Sequence, residues 1–66
     1  MEIKVNGEWR EFPDGSTVSA VLDALGTARQ GVAVAVDGVV VRRGEWDGAM
    51  VPKGANVDVL TAVQGG

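Results

Sequence analysis

The 66-residue chain contains neither cysteine nor histidine. The first absence excludes disulfides, thiolate metal ligands and thiol nucleophiles. The second removes the commonest neutral-pH base and the commonest metal ligand. Aromatic residues are limited to Trp9, Phe12 and Trp46. The longest apolar stretches, Val32 to Val36 and Val39 to Val41, are far too short to cross a bilayer. Met1-Glu2-Ile3-Lys4 has no basic n-region and no long apolar stretch, so no signal peptide is expected and a cytoplasmic protein is the simplest reading. Positive charge is scarce too: six basic residues face nine acidic ones, a net of −3. Such a surface does not attract phosphate backbones, so neither nucleic acid nor membrane is expected as a partner. Area scaling for this length leaves about 4,000 Å² of folded surface from ~9,900 Å² unfolded. One small core fits within that, but a substrate-sized cavity does not. An autonomous hydrolase is not expected on these grounds.

What is present reads as a sequence of short elements. Glu2-Ile3-Lys4-Val5 alternates polar and apolar residues, the period of a half-buried strand. Asn6-Gly7 then suits a type I′ turn, and Glu8 to Phe12 is expected to pair back before Pro13-Asp14-Gly15 breaks the ladder. Ser16 and Thr17 are both candidate helix N-caps. Val18, Val21, Leu22 and Leu25 follow with i, i+3, i+4, i+7 spacing, one apolar stripe on a short helix. Gly26 stands at the expected C-cap. A second hairpin is expected from Val32 to Val41 around Asp37-Gly38. Glu45 to Val51, with Trp46 and Met50 four apart, reads as an irregular or 3₁₀ turn, and Asn56 to Val63 as the last strand. The order β-β-α-β-β-β predicts an α+β domain, a mixed sheet of about five strands crossed by one helix: the β-grasp. It spans residues 1–63, and Gln64-Gly65-Gly66 form a flexible tail. A five-stranded barrel without helix packing is the competing arrangement, and the amphipathic stretch after Thr17 argues against it.

Few residues are left to carry chemistry. Glu8, Glu11, Asp14 and Asp37 each have a ready role as strand-surface or turn carboxylates, and spacing forces no two of them together. Arg42, Arg43 and Lys53 are candidates for a small basic patch; solubility and edge protection is the plainer account, and docking of an acidic partner surface the functional one. Trp46 suits a cover over one end of the core, and Trp9, if exposed, a partner anchor. Five glycines match turns or caps, and there is no Walker run and no strand-to-helix GxGxxG. Gly65 and Gly66 are different. They add nothing to packing, yet a chain without Cβ atoms can thread a narrow channel and present a terminal carboxylate to another protein's active site.

The element order, the length and the ending Ala62-Val63-Gln64-Gly65-Gly66 together resemble the ubiquitin-like sulfur carriers of thiamin biosynthesis, the ThiS family. Gly15-Ser16-Thr17-Val18 with Leu22 and Leu25 looks like that family's helix entry. Val34-Ala35-Val36-Asp37-Gly38, followed by Val40-Val41, Arg43 and Trp46, looks like its central hairpin. The similarity covers the whole chain; Arg42 departs from it, standing where many members carry proline.

The resemblance implies that Gly66 is adenylated by an ATP-dependent, E1-like enzyme of the ThiF type and converted by a persulfide donor to a thiocarboxylate. Gly65 and Gln64 would thread into the partner's site, and a ThiG-type thiazole synthase would take the sulfur. On this reading the chain is a protein co-substrate rather than an enzyme. It binds no cofactor or metal of its own, with ATP belonging to the partner, and is a monomer when free. The small subunit of molybdopterin synthase, a lysine-conjugated ubiquitin-like modifier and a plain binding module are the alternatives. Strand alternation turns Ile3, Val5, Val34, Val36, Val57 and Val59 inward. It leaves Leu60, Ala62, Ala33 and Ala35 outward, as a shallow apolar docking patch leading to the tail.

Overall fold

Two dipeptides decide where the chain doubles back. Asn6 and Gly7 hold φ of 50° and 85°, and Asp37 and Gly38 hold 50° and 83°. These are the paired left-handed conformations of a type I′ turn, which asparagine or aspartate followed by glycine adopts at least cost. A computed structural model describes residues 1–61. Its strands are β1 (Glu2–Val5), β2 (Glu8–Glu11), β3 (Val32–Val36), β4 (Val39–Val41) and β5 (Asn56–Thr61), with helix α1 (Val18–Leu25) between β2 and β3. The sheet order is β2-β1-β5-β3-β4. β1 and β5 run parallel and the other neighbours antiparallel. This is the β-grasp expected from the element order.

The helix is short, so its ends carry much of its definition. All four amides of its first turn have partners. The Val18 and Ser19 N–H groups donate to the carbonyls of Ala49 and Trp46, at 2.9 and 3.2 Å, and Val21 N–H donates to Thr17 O. Ala20 N–H donates to the Thr17 hydroxyl oxygen at 3.2 Å. Thr17 is thus the N-cap, while the Ser16 hydroxyl donates to Pro13 O. At the other end the Gly26 and Thr27 amides donate back to Asp23 O and Leu22 O, a Schellman closure. The segment before β5 therefore works as a helix cap supplied from a distance. Its single 3₁₀ turn covers Arg43–Glu45, just before Trp46. Trp46 is buried and Met50 exposed, so the two residues four apart do not share a face.

The core takes Ile3, Val5, Val34 and Val57 from the sheet and Val18, Val21 and Leu22 from the helix. Phe12, Trp46, Val51 and Ala55 complete it from the connections. Val36 and Val59, also expected inside, are half-buried against it. Trp46 is 1% exposed, and its indole N–H donates to Val41 O at 2.8 Å. It is a fully buried member of the core. No helix among the described residues is long and apolar enough to cross a membrane.

Two surface carboxylates pin the loops. Asp14 lies 3.1 Å from the Met1 ammonium and 3.4 Å from Lys53. Asp47 accepts from the buried Ser19 hydroxyl and from Arg29, which also pairs with Asp23. The amino terminus, by hydrogen bond and charge, holds the Asp14 carboxyl below its usual range, with Lys53 adding to the effect. For Asp47 the Ser19 hydrogen bond does the same, followed by Arg29. A carboxyl whose pKa is lower folded than unfolded stabilises the fold fully above the unfolded value of about 3.9, and that gain is lost as pH falls through the lowered folded value. The thermal midpoint should therefore be flat between about pH 7 and 5 and fall below about pH 4. Asp47→Asn should lower the midpoint at neutral pH, and its difference from the parent should shrink as pH falls below about 4. Midpoints that stay equally far apart throughout the acid range would reject the assignment.

Candidate functional site

β5 lies at the centre of the sheet, hydrogen-bonded on both sides, and the chain leaves it toward the carboxyl terminus. β1 turns away at Asn6, before β5 ends. The Asn6 side chain continues the ladder in its place: its Oδ1 accepts from Val59 N–H at 2.8 Å and its amide donates to Val59 O at 3.1 Å. An asparagine serves here twice, since it also tolerates the positive φ of the turn.

The residues alternating with the core positions form the sheet face away from the helix. Registry places Leu60 beside Ala33, and Asp58 beside Ala35, with Ala35 in turn beside Val40 of β4. Leu60 is 65% exposed, far more than an interior leucine. Three of the four expected docking residues, Leu60, Ala33 and Ala35, thus share this face. The fourth, Ala62, lies outside the described residues, as do Gln64, Gly65 and Gly66.

The face holds more than the alternation of β3 and β5 reveals. Val40 extends the apolar row to the sheet edge, and the Asp58 carboxylate interrupts it in the middle. Val40 escapes a sequence reading because three consecutive valines give no alternation from which to assign a face. Trp9 stands beside Lys4 on the same side of the sheet, with the ammonium 5.9 Å from the indole centroid. Its 58% exposure fits the anchor reading.

The three candidate cations do not form one patch. Lys53 is tied to Asp14, and Gly54 N–H next to it donates to Glu2 O, at the end of the sheet where β1 and β5 begin. Arg42 and Arg43 follow β4, which runs in the same direction as β5, so they lie at the opposite end, where β5 finishes. Only the two arginines border the exit of the chain from β5. At that exit a cleft of about 250 Å³ opens between hairpin, helix end and last strand, lined by Glu8, Arg10, Leu25, Thr27, Val59 and Thr61 among others. It is too open and shallow for a buried small-molecule site.

The sequence matches the ThiS family over residues 3–66. No curated protein sequence matches it. Among solved structures, the crystal structure of the thiamine biosynthesis protein ThiS from Geobacter metallireducens is similar, at 30% identity and a TM-score of 0.85 over 100% of both chains. A solution NMR structure of a thiamine biosynthesis protein from the same organism is 30% identical, with a TM-score of 0.80 over 100% of this chain and 88% of that one. A family match from the first strand to the final glycine, on a sheet of the same topology, establishes that the chain belongs to the ThiS family.

Proposed function

We propose that this chain is a sulfur carrier of thiamin biosynthesis that holds its sulfur as a thiocarboxylate on Gly66. The observation that carries this reading is a ThiS-family match extending to Gly66 in a chain without a single cysteine. With no side-chain thiol, sulfur can be held covalently only at the carboxyl end. In the proposed sequence a Gly66 carboxylate oxygen attacks the α-phosphorus of ATP on an E1-like enzyme and pyrophosphate leaves. A persulfide sulfur then attacks the acyl carbon and AMP leaves with the bridging oxygen. A thiol cuts the resulting S–S bond and frees the thiocarboxylate, which a thiazole synthase consumes. The enzymes supply the catalysis; this chain supplies the reacting group and the address.

The address proposed is the outer sheet face around Leu60, Ala33, Ala35 and Val40, with Gly65 and Gln64 threading the channel. An exposed leucine at the exit of the last strand is placed to act as an interface anchor. Leu60→Asp should leave the thermal midpoint within a few degrees, since the side chain is mostly in water, and raise the KM of adenylation about thirtyfold, the equivalent of ~2 kcal/mol. Steady-state pyrophosphate release with the cognate adenylating enzyme measures this. An unchanged KM would remove Leu60 from the address.

The reading itself is tested by intact-protein mass spectrometry after incubation with adenylating enzyme, ATP and a sulfur source. Exchange of one terminal oxygen for sulfur adds about 16 Da. High-resolution fragmentation separates that gain from methionine or tryptophan oxidation and assigns it to the C-terminal fragment. No gain under conditions that load a known carrier would overturn the thiocarboxylate.

A further inference from the structure

Asp58 stands where a docking face should hold an apolar residue. It is half-buried on β5, beside Ala35 of β3 and two residues before the exposed Leu60. Among the described residues it belongs to no ion pair. The Asn56 amide reaches its Oδ2 at 3.5 Å, the outer limit of a hydrogen bond. The cation on the neighbouring strand is Lys4, whose rung is with Asn56. Its ammonium lies over the Trp9 indole, on the side of β1 away from β5. Farther back on the same face Glu2 stands directly opposite Glu11, a like-charge pair that strand pairing disfavours. Three carboxylates thus face outward from the strands with one ammonium among them.

In water this arrangement costs little, because each carboxylate keeps its hydration. Under a partner it becomes expensive, since a carboxylate stripped of water and left unpaired is among the least favourable groups an interface can hold. Asp58 adjoins both Leu60 and Ala35, so a surface that covers those two covers the carboxylate as well. We propose that Asp58 selects the partner: the adenylating enzyme presents a lysine or arginine to it, set in an apolar surface that meets Leu60 and Val40. This rests on the carrier reading given above and adds the chemistry of the surface that receives the carrier.

A surface that offers only apolar atoms must bury the bare carboxylate, so one residue both admits the matching partner and rejects the others. The Glu2 and Glu11 pair, farther from the tail, adds the same sign over a longer range and steers a basic surface toward this face. Asp58 is a specificity residue in this scheme. It sets which enzyme holds the carrier and takes no part in the chemistry at the terminus.

Calorimetric titration of the full chain into the cognate adenylating enzyme, without ATP, tests this apart from any sulfur chemistry. Asp58→Asn keeps the side chain's shape and removes its charge, and should raise Kd about tenfold or more. The KM of pyrophosphate release should rise by the same factor with kcat unchanged. Asp58→Glu keeps the charge and should bind within severalfold of the parent. Raising salt from about 0.05 to 0.5 M should weaken the parent more than Asp58→Asn, because only the parent has the pair to screen. Urea midpoints close to the parent's separate these effects from misfolding. A parent that does not bind, equal Kd for the parent and Asp58→Asn, or equal weakening by Asn and Glu would overturn the proposal. An equal loss in Lys4→Met would assign the cation to this chain and overturn it too. The carrier reading fails by a different sign, a parent chain that binds the enzyme and gains no sulfur, whatever the Asp58 variants do.

Discussion

Trp46→Ala is expected to leave the chain on the edge of unfolding at 25 °C, while Trp9→Ala leaves its stability nearly unchanged. The two tryptophans differ in one respect that decides this: Trp46 is buried with its indole N–H on Val41 O, and Trp9 stands in solvent on β2. Removing a buried tryptophan costs about 3–5 kcal/mol through lost burial and the cavity that remains. A chain of this length has total stability of only about 3–10 kcal/mol. One substitution therefore takes away a third of the stability or more. The loss also spreads, because Trp46 O receives the Ser19 amide and the neighbouring Asp47 receives the Ser19 hydroxyl. Collapse around an absent indole would pull on the first turn of α1. Urea titrations followed by circular dichroism measure both variants. Equal midpoints for the two would contradict the core described here. A surface change such as Trp9→Ala should stay within about 0.5 kcal/mol of the parent.

Deletion of Gly66 is expected to abolish sulfur loading while leaving the fold untouched. The proposed reaction uses the terminal carboxylate as the attacking group, and removing one residue withdraws it by about 3.5 Å. Reactions held in near-attack geometry lose roughly a hundredfold for a misplacement of 1 Å. Loading should therefore drop at least a thousandfold. Gly66→Ala provides the complementary reading: it keeps the carboxylate at full reach and adds one methyl group. If the channel admits only a chain without Cβ atoms, this variant loads slowly as well; if reach alone matters, it loads normally. Mass spectrometry of the C-terminal fragment, beside an unchanged thermal melt, separates both from misfolding. Normal loading of the deleted chain would reject Gly66 as the acceptor.

Much of the architecture was legible because local and global signals agree. Asn6-Gly7 and Asp37-Gly38 name their turn type outright. The stripe from Val18 to Leu25 has a period no strand can use, and its bounds match the helix observed. The parts that stayed hidden depend on partners distant in sequence. Nothing in Glu45 to Val51 announces that its carbonyls complete the amino-terminal turn of a helix some thirty residues earlier, since backbone acceptors carry no side-chain signature. The grouping of Lys53 with Arg42 and Arg43 failed for a topological reason: β4 and the start of β5 are neighbours in sequence but deliver their charges to opposite ends of the sheet. Of the site, Leu60, Ala33 and Ala35 followed from alternation alone. Val40 and the interrupting Asp58 emerged only once register was known. Asn6 was read as a turn residue, and its second use as a surrogate rung on β5 required the fold.

That surrogate rung has a mechanical consequence. The strand that leads to the carboxyl terminus is clamped between β1 and β3, and its pairing with β1 is parallel. A pull along the tail therefore loads the rungs on both flanks together, in shear, instead of peeling them off one at a time. The Asn6 side chain adds two hydrogen bonds to β5 at Val59, beyond the last backbone rung with β1. Traction from the tail meets those bonds before it reaches the core. On the proposed reading, in which the last residues enter a partner's channel, the two bonds from Asn6 to Val59 stand where that load arrives.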